Sequence, residues 1–202
     1  MSIFGQIKKN PFKDGMYCLN YILENWDVDN SGRYEAFDLV ILEASKFEDP
    51  LHYLACAYAH HYSKADHRIK AIEYFEKYLS NPKHIERFPL KMVYYDLAKD
   101  YEAECDFDNA EKYYQLSISQ QKPTYNQITK NYEIAPATVA LGRLYLKMST
   151  QKAVDYWTSL MQRDEYKKGN SEVSGFRRHV DVEYKKALEK HQKGYVYKPR
   201  KK

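Results

Sequence analysis

The segments LAKDY, residues 97–101, and AEKYY, residues 110–114, form a pair of patterns that the chain contains three times. The first pattern recurs as LACAY at 54–58 and LGRLY at 141–145, and the second as AIEYF at 71–75 and AVDYW at 153–157. Leu97 and Tyr101 share one helix face, and the small Ala98 beside them lets another helix approach closely. In the second pattern the alanine and the aromatic residue four positions later share a face in the same way. The chain is therefore predicted to be all-α, with paired helices that meet through a small residue and an aromatic ring.

The spacing inside each copy resembles that of a known helical repeat. Leu97 and Ala110 are 13 positions apart, and the second copy resembles the signature of the tetratricopeptide repeat (TPR). The matching residues are Tyr94, Leu97, Ala98, Tyr101, Ala110 and Tyr114 in the second copy, Leu141, Gly142, Tyr145, Ala153 and Trp157 in the third, and Leu54, Ala55, Tyr58, Ala71 and Phe75 in the first. The resemblance implies a right-handed α-solenoid of antiparallel helix pairs over residues 49–163.

The copies are more widely spaced than in that family. Their motif leucines lie 43 and 44 residues apart, whereas a TPR has about 34 residues and HEAT or armadillo repeats have about 40–47. Pro82 and Pro123 each lie one position from the family's terminal proline, and the linker 122–135 is long. The spacing within the copies favours a TPR-like array, and the linkers leave its curvature open.

The flanking segments lack the motif but have helical spacing of apolar residues. They predict an N-terminal helix pair over 12–46, with helices at 12–25 and 33–46, and a capping helix at 172–193. We expect one domain over 1–202, because 202 residues form one sizeable core and a repeat array is elongated rather than divided.

The positive charge of the chain is concentrated at its C-terminal end. The formal net charge is +4, but residues 185–202 hold eight Lys or Arg against one Glu, which leaves 4 − 7 = −3 for the rest. Residues 194–202 are therefore predicted to be a flexible basic tail. We expect no nucleic-acid partner except through this tail, where Tyr195 and Tyr197 would stack on bases.

The cysteines and the hydropathy pattern indicate an intracellular protein. Three cysteines, Cys18, Cys56 and Cys105, are an odd number placed in helical segments, which favours reduced thiols. No apolar run approaches the length of a membrane span, and the N-terminal sequence has no signal-peptide core. We expect a cytoplasmic protein without a membrane partner.

The segment DVDNSGRYEAFD, residues 27–38, resembles the calcium loop of an EF-hand. Its candidate ligands are Asp27, Asp29, Ser31, Arg33 through its carbonyl, Glu35 and Asp38. The alternative is a plain turn between helices, in which Asp29, Asn30 or Ser31 caps the following helix. We expect no cofactor, with calcium as the alternative.

Catalytic signatures are absent from the sequence. His60, His61, His67 and Asp66 form a suggestive cluster, but adjacent histidines on a helix point about 100° apart and do not readily share one metal ion. The sequence has no glycine-rich phosphate loop, G-x-S-x-G elbow or C-x-x-C motif. The chain is therefore not expected to be an enzyme.

The resemblance also implies a binding groove on the first helix of each copy. The positions that face a peptide in the family correspond here to His52, Cys56, Ala59, His60, Tyr95, Lys99, Glu102, Ala103, Val139, Arg143, Leu146 and Lys147. Lys99, Arg143 and Lys147 would favour a segment with acidic residues or a free carboxylate. The family's carboxylate clamp has Asn where this chain has Lys99 and Arg143, so a chaperone tail is not the predicted ligand.

These patterns predict a noncatalytic interaction module, an adaptor or regulator that binds a peptide or protein segment in its concave groove. His52, Tyr95, Lys99, Glu102, Arg143 and Lys147 are the expected peptide-binding residues. One alternative is a calcium-binding protein that uses residues 27–38. Another is a homodimeric structural or regulatory protein in which some of the 21 tyrosines form the interface. A further alternative is that Lys99, Arg143 and Lys147 bind no ligand and are only solvated charges.

Overall fold

A computed structural model describes residues 10–25, 30–63, 67–81, 88–128 and 130–199 of the chain. These residues form ten α-helices, one short 3-10 helix and one two-stranded hairpin, which confirms the predicted all-α class. The helices are α1 (Gly15–Asn25), α2 (Asn30–Ala44), α3 (Pro50–His61), α4 (Arg68–Ser80), α5 (Leu90–Ala103), α6 (Phe107–Ser119), α7 (Pro136–Met148), α8 (Thr150–Met161), α9 (Asp164–Lys167) and α10 (Phe176–Gln192). The 3-10 helix is Pro11–Lys13, and the strands are β1 (Tyr125–Asn126) and β2 (Asn131–Tyr132).

The chain divides into two compact units, Met1–Pro89 and Leu90–Lys202. The first contains α1 to α4 and the second α5 to α10. The single elongated domain over 1–202 stays a prediction.

Side-chain caps set several helix starts. The Asp49 carboxylate accepts hydrogen bonds from the backbone N–H groups of Leu51 and His52, ahead of Pro50 at the first position of α3. Asp106 caps α6 and Ser149 caps α8 in the same way. Such caps satisfy amide groups that have no partner within the helix, so they fix where each helix begins.

In the first unit, α3 lies at the centre and packs against α1, α2 and α4. Its residues from Leu54 to His60 are all buried. The N-terminal pair differs slightly from the predicted bounds: the first helix begins at Gly15 after the 3-10 helix, and the second covers Asn30–Ala44.

In the second unit, α5 packs against α6 and α7 against α8, and α6 and α10 join these pairs through contacts with α7 and α8. The linker 122–135 contains a hairpin in which Tyr125 pairs with Tyr132 and Asn126 with Asn131. The buried Asn131 amide donates hydrogen bonds to the Asn170 carbonyl at 2.7 Å and the Val173 carbonyl at 3.3 Å. The hairpin therefore anchors the segment that leads into α10.

The repeated motif forms the core of both units. The leucines of the first pattern are at most 2% exposed, the alanines of both patterns are fully buried, and the aromatic residue that ends each pattern is at most 9% exposed. A β-carbon placed on Gly142 would lie 2.1 Å from the Trp157 ring, so the indole packs directly on the glycine backbone. The predicted contact between a small residue and an aromatic ring is thus present in the third copy.

Candidate peptide-binding groove

Four of the eight predicted groove residues of the second unit lie around one cavity between α5, α7 and α10. This cavity has a volume of about 420 Å³. It is lined by Tyr95 and Glu102 of α5, by Pro136, Val139, Ala140 and Arg143 of α7, and by His179 of α10. Four of these seven residues were predicted from the repeat motif.

A second cavity of about 560 Å³ shares Arg143 with the first. Its lining is Arg143, Leu146 and Lys147 of α7, Glu183, Lys186, Glu189 and Lys190 of α10, and then Lys193, Tyr195 and Tyr197. We call the two cavities together the groove. Lys99 and Ala103 line neither cavity; the Lys99 ammonium lies 5.5 Å from the centre of the Tyr95 ring.

Arg143 is held at the centre of the groove by a buried carboxylate. Its Nη2 donates to Glu183 Oε1 at 2.8 Å, and Lys186 Nζ donates to the same oxygen at 3.0 Å. Burial alone would raise the pKa of Glu183, but the bonds from Arg143 and Lys186 outweigh it and hold this pKa below its usual value. Since the Arg143 side chain is 59% exposed, the guanidinium is oriented by Glu183 and still faces solvent.

Lys147 is positioned by a second carboxylate, that of Glu102. Lys147 Nζ donates to Glu102 Oε1 at 2.6 Å, and the Tyr114 hydroxyl donates to Glu102 Oε2 at 2.6 Å. Burial and then this hydrogen bond raise the pKa of Tyr114, so the phenol remains a donor. The three side chains join α5, α6 and α7 at the wall of the groove.

The same three-residue arrangement occurs once more behind α7. Tyr145 donates to Glu111 Oε1 at 2.7 Å, and Lys152 donates to Glu111 Oε2 at 2.6 Å. Burial, followed by the bond to Glu111, raises the pKa of Tyr145 to about 12. A tyrosine, a glutamate and a lysine thus connect consecutive helices at two levels of the second unit.

The predicted groove residues of the first unit are buried instead. Cys56 and Ala59 are fully buried, and His52 and His60 are 2% and 7% exposed. His52 Nδ1 is hydrogen-bonded to the Asp49 carboxylate, and its Nε2 lies 2.9 Å from the Phe12 carbonyl oxygen. His52 therefore packs in the interior of the first unit and does not face a groove.

The proposed calcium ligands fall in and beside α2. Asp27 and Asp29 lie outside the described residues, and α2 begins at Asn30. Arg33, Glu35 and Asp38 therefore have helical backbone, in which the Arg33 carbonyl points along the helix axis toward the amide four residues later. The ligands of an EF-hand instead come from one loop. The calcium site stays a prediction.

Of the suggestive histidine cluster, His60 and His67 lie close together. His60 Nδ1 lies 3.4 Å from His67 Nδ1, and the His60 ring stacks on Tyr74 at 5.6 Å. Asp66 lies outside the described residues. Within the described part of the chain, no group of three or more His, Cys, Asp or Glu residues is placed to hold a metal ion.

Sequence analysis missed the contribution of α10 to the groove. Its lining residues His179, Glu183, Lys186 and Lys190, together with Lys193 just after its end, follow the spacing of one helix face. The sequence predicted only a capping helix over 172–193, from the spacing of its apolar residues.

Comparison with models of known protein families finds no match for this chain, and comparison with curated proteins finds none either. Among the described helices, none combines the length and the apolar character needed to cross a membrane. The evidence for function is therefore the motif and the geometry of the groove.

Proposed function

We propose that the chain is a TPR-like helical repeat protein that acts without catalysis, as an adaptor or regulator. Its ligand is an acidic peptide or protein segment that binds in the groove of the second unit. The observation that supports this most directly is the position of Arg143 and Lys147, each oriented by a carboxylate at the wall of an open groove.

The charges of the groove favour an acidic ligand. The larger cavity is lined by the cations Arg143, Lys147, Lys186, Lys190 and Lys193 against the carboxylates Glu183 and Glu189. Lys190 makes no ion pair with a carboxylate of the described residues. A carboxylate-rich ligand would form charge-assisted hydrogen bonds with cations that are already oriented, which lowers the entropic cost of binding.

The apolar part of the groove supports an extended segment rather than a lone anion. Tyr95, Pro136, Val139, Ala140 and Leu146 provide apolar area along α5 and α7. Alternate side chains of an extended peptide can occupy such area while its carboxylates meet the cations.

The test is a binding screen with fluorescein-labelled acidic nonapeptides, read by fluorescence polarisation. The double variant Arg143→Gln/Lys147→Gln should weaken binding about tenfold or more, since a lost hydrogen bond to a charged group costs about 1.5–3 kcal/mol. The matched control is Lys168→Gln/Lys185→Gln, which removes the same charge from exposed positions outside the groove. Equal binding by both variants, or no peptide bound above a basic control peptide, would refute the proposal.

A further inference from the structure

The segment that follows α10 turns back onto the groove. Gly194 has a positive φ of 63°, the Gly194 N–H donates to the His191 carbonyl at 3.0 Å, and the Tyr195 N–H donates to the Lys190 carbonyl at 3.0 Å. This pair of bonds with a left-handed glycine is the Schellman cap, which ends a helix and reverses the chain direction. The Lys190 ammonium lies 4.5 Å from the centre of the Tyr195 ring, across the same turn.

Tyr197 then occupies one end of the groove. Its ring centre lies 6.1 Å from that of Phe107, at the first residue of α6, and the Lys147 ammonium lies 5.5 Å from the Tyr197 ring centre. Tyr197 is half-buried, whereas the neighbouring Val196 is 73% exposed. Tyr197 therefore contacts α6 and α7, where the sequence predicted a flexible tail over 194–202.

The charge of this segment does not match that of the groove. Lys198 follows Tyr197, while the groove itself is lined by Arg143, Lys147 and further lysines. Like charges repel, so the contacts that hold the segment are those of its aromatic rings. An external segment with the same ring and the opposite charge would bind better at this position.

We propose that Tyr197 is an internal competitor at an aromatic seat formed by Phe107 and Lys147, and that the partner segment carries an aromatic residue next to acidic residues. On binding, the aromatic residue of the partner takes the place of Tyr197. This inference rests on the proposed function, because it names the ligand chemistry and the regulation of the same groove.

The experiment uses the full chain and two labelled heptapeptides, one with a tyrosine between two runs of three glutamates and one with alanine in its place. Tyr197→Ala should lower the apparent Kd of the tyrosine peptide about two- to tenfold, because apparent affinity scales with the fraction of molecules whose seat is free. Phe107→Ala should weaken the tyrosine peptide and leave the alanine peptide unchanged. Val196→Ala is the matched control in the same segment.

Each outcome decides between the two proposals. If the tyrosine peptide binds but Tyr197→Ala and Phe107→Ala leave its affinity unchanged, the aromatic seat is refuted and the acidic-peptide groove stands. If the alanine peptide binds as tightly as the tyrosine peptide, the aromatic specificity is refuted in the same way. If neither peptide binds to any form of the chain, the groove proposal fails and the competitor proposal fails with it.

Discussion

The same motif position has opposite environments in the two units. Two residues after the motif leucine the first unit has Cys56, which is fully buried, and the second has Lys99 and Arg143, whose side chains are 46% and 59% exposed. In the first unit α1 packs on α3, and burial, followed by the nearby Cys18 of α1, raises the pKa of Cys56. In the second unit the corresponding face borders the groove. A repeat motif therefore specifies how two helices pair, and the neighbouring elements decide whether the remaining face is core or surface.

The largest expected effect comes from replacing Cys56 of the first unit with lysine, the residue that the second unit has at the same motif position, Lys99. Cys56→Lys should lower the free energy of unfolding by about 3–5 kcal/mol, because it leaves a buried charge without a partner. The reverse change, Lys99→Cys, should alter it by no more than about 0.5 kcal/mol at its exposed site. Urea unfolding at pH 7 measures both. If Cys56→Lys is as stable as the wild type, α1 does not cover this face of α3.

The second test uses pH and the position six residues after the motif leucine, which is His60 in the first copy and Lys147 in the third. Burial, and then the nearby His67 and Lys70, lower the pKa of His60 from 6.5 to about 4, although Glu73 and Asp38 oppose the shift. The unfolded chain therefore binds this proton more readily than the folded one. Stability is fully present above pH 6.5 and is lost as the pH falls towards 4, by roughly 2–3 kcal/mol.

Urea unfolding at pH 7.5 and 4.5 measures how much stability the chain loses on acidification. Comparing variants separates the contribution of His60 from that of the other titrating groups. The variant His60→Gln should lose less stability than the wild type between these two pH values. His191→Gln, at the exposed C-terminal end of α10, should keep the full wild-type loss. Identical pH dependence in the wild type and His60→Gln would show that His60 is not buried in neutral form.

The smallest expected effect tests the contact between a small residue and an aromatic ring that the copies share. Gly142→Ala should destabilise the chain by about 1–3 kcal/mol, because the new β-carbon overlaps the Trp157 ring. Ala55 and Ala98 occupy the same motif position in the other copies, so alanine is accepted where the facing ring is smaller. Adding Trp157→Phe should restore part of the loss, as read from the urea midpoint. Full stability of Gly142→Ala alone would contradict direct packing of the indole on this glycine.

Much of the fold could be predicted because local rules determine it. The leucines, the alanines and the last aromatic residue of each pattern are in the core, while Tyr94 is half-buried. The hairpin around Asn131 was not predicted, since a strand of two residues has no periodicity to detect. Its role depends on hydrogen bonds to residues about 40 positions later, which no local pattern contains.

The candidate site could be predicted only for the second unit. Tyr95, Glu102, Arg143 and Lys147 line the two cavities, Lys99 lines neither, and His52 is buried although it occupies an equivalent position. That these residues bind a peptide stays a prediction. The difference arises from packing of α1 and the 3-10 helix on α3. These segments lack the motif, so no sequence pattern indicated that they would cover α3.

The three cysteines differ in burial and therefore in the reactivity of their thiols. Burial raises the pKa of Cys18 to about 11 and that of Cys56 to about 12, so neither thiol readily forms the reactive thiolate. Cys105 is exposed in the turn between α5 and α6, two residues before Phe107. A maleimide dye would therefore label the native chain at one position without engineering. Its fluorescence would report directly on whether the adjacent end of the groove is filled.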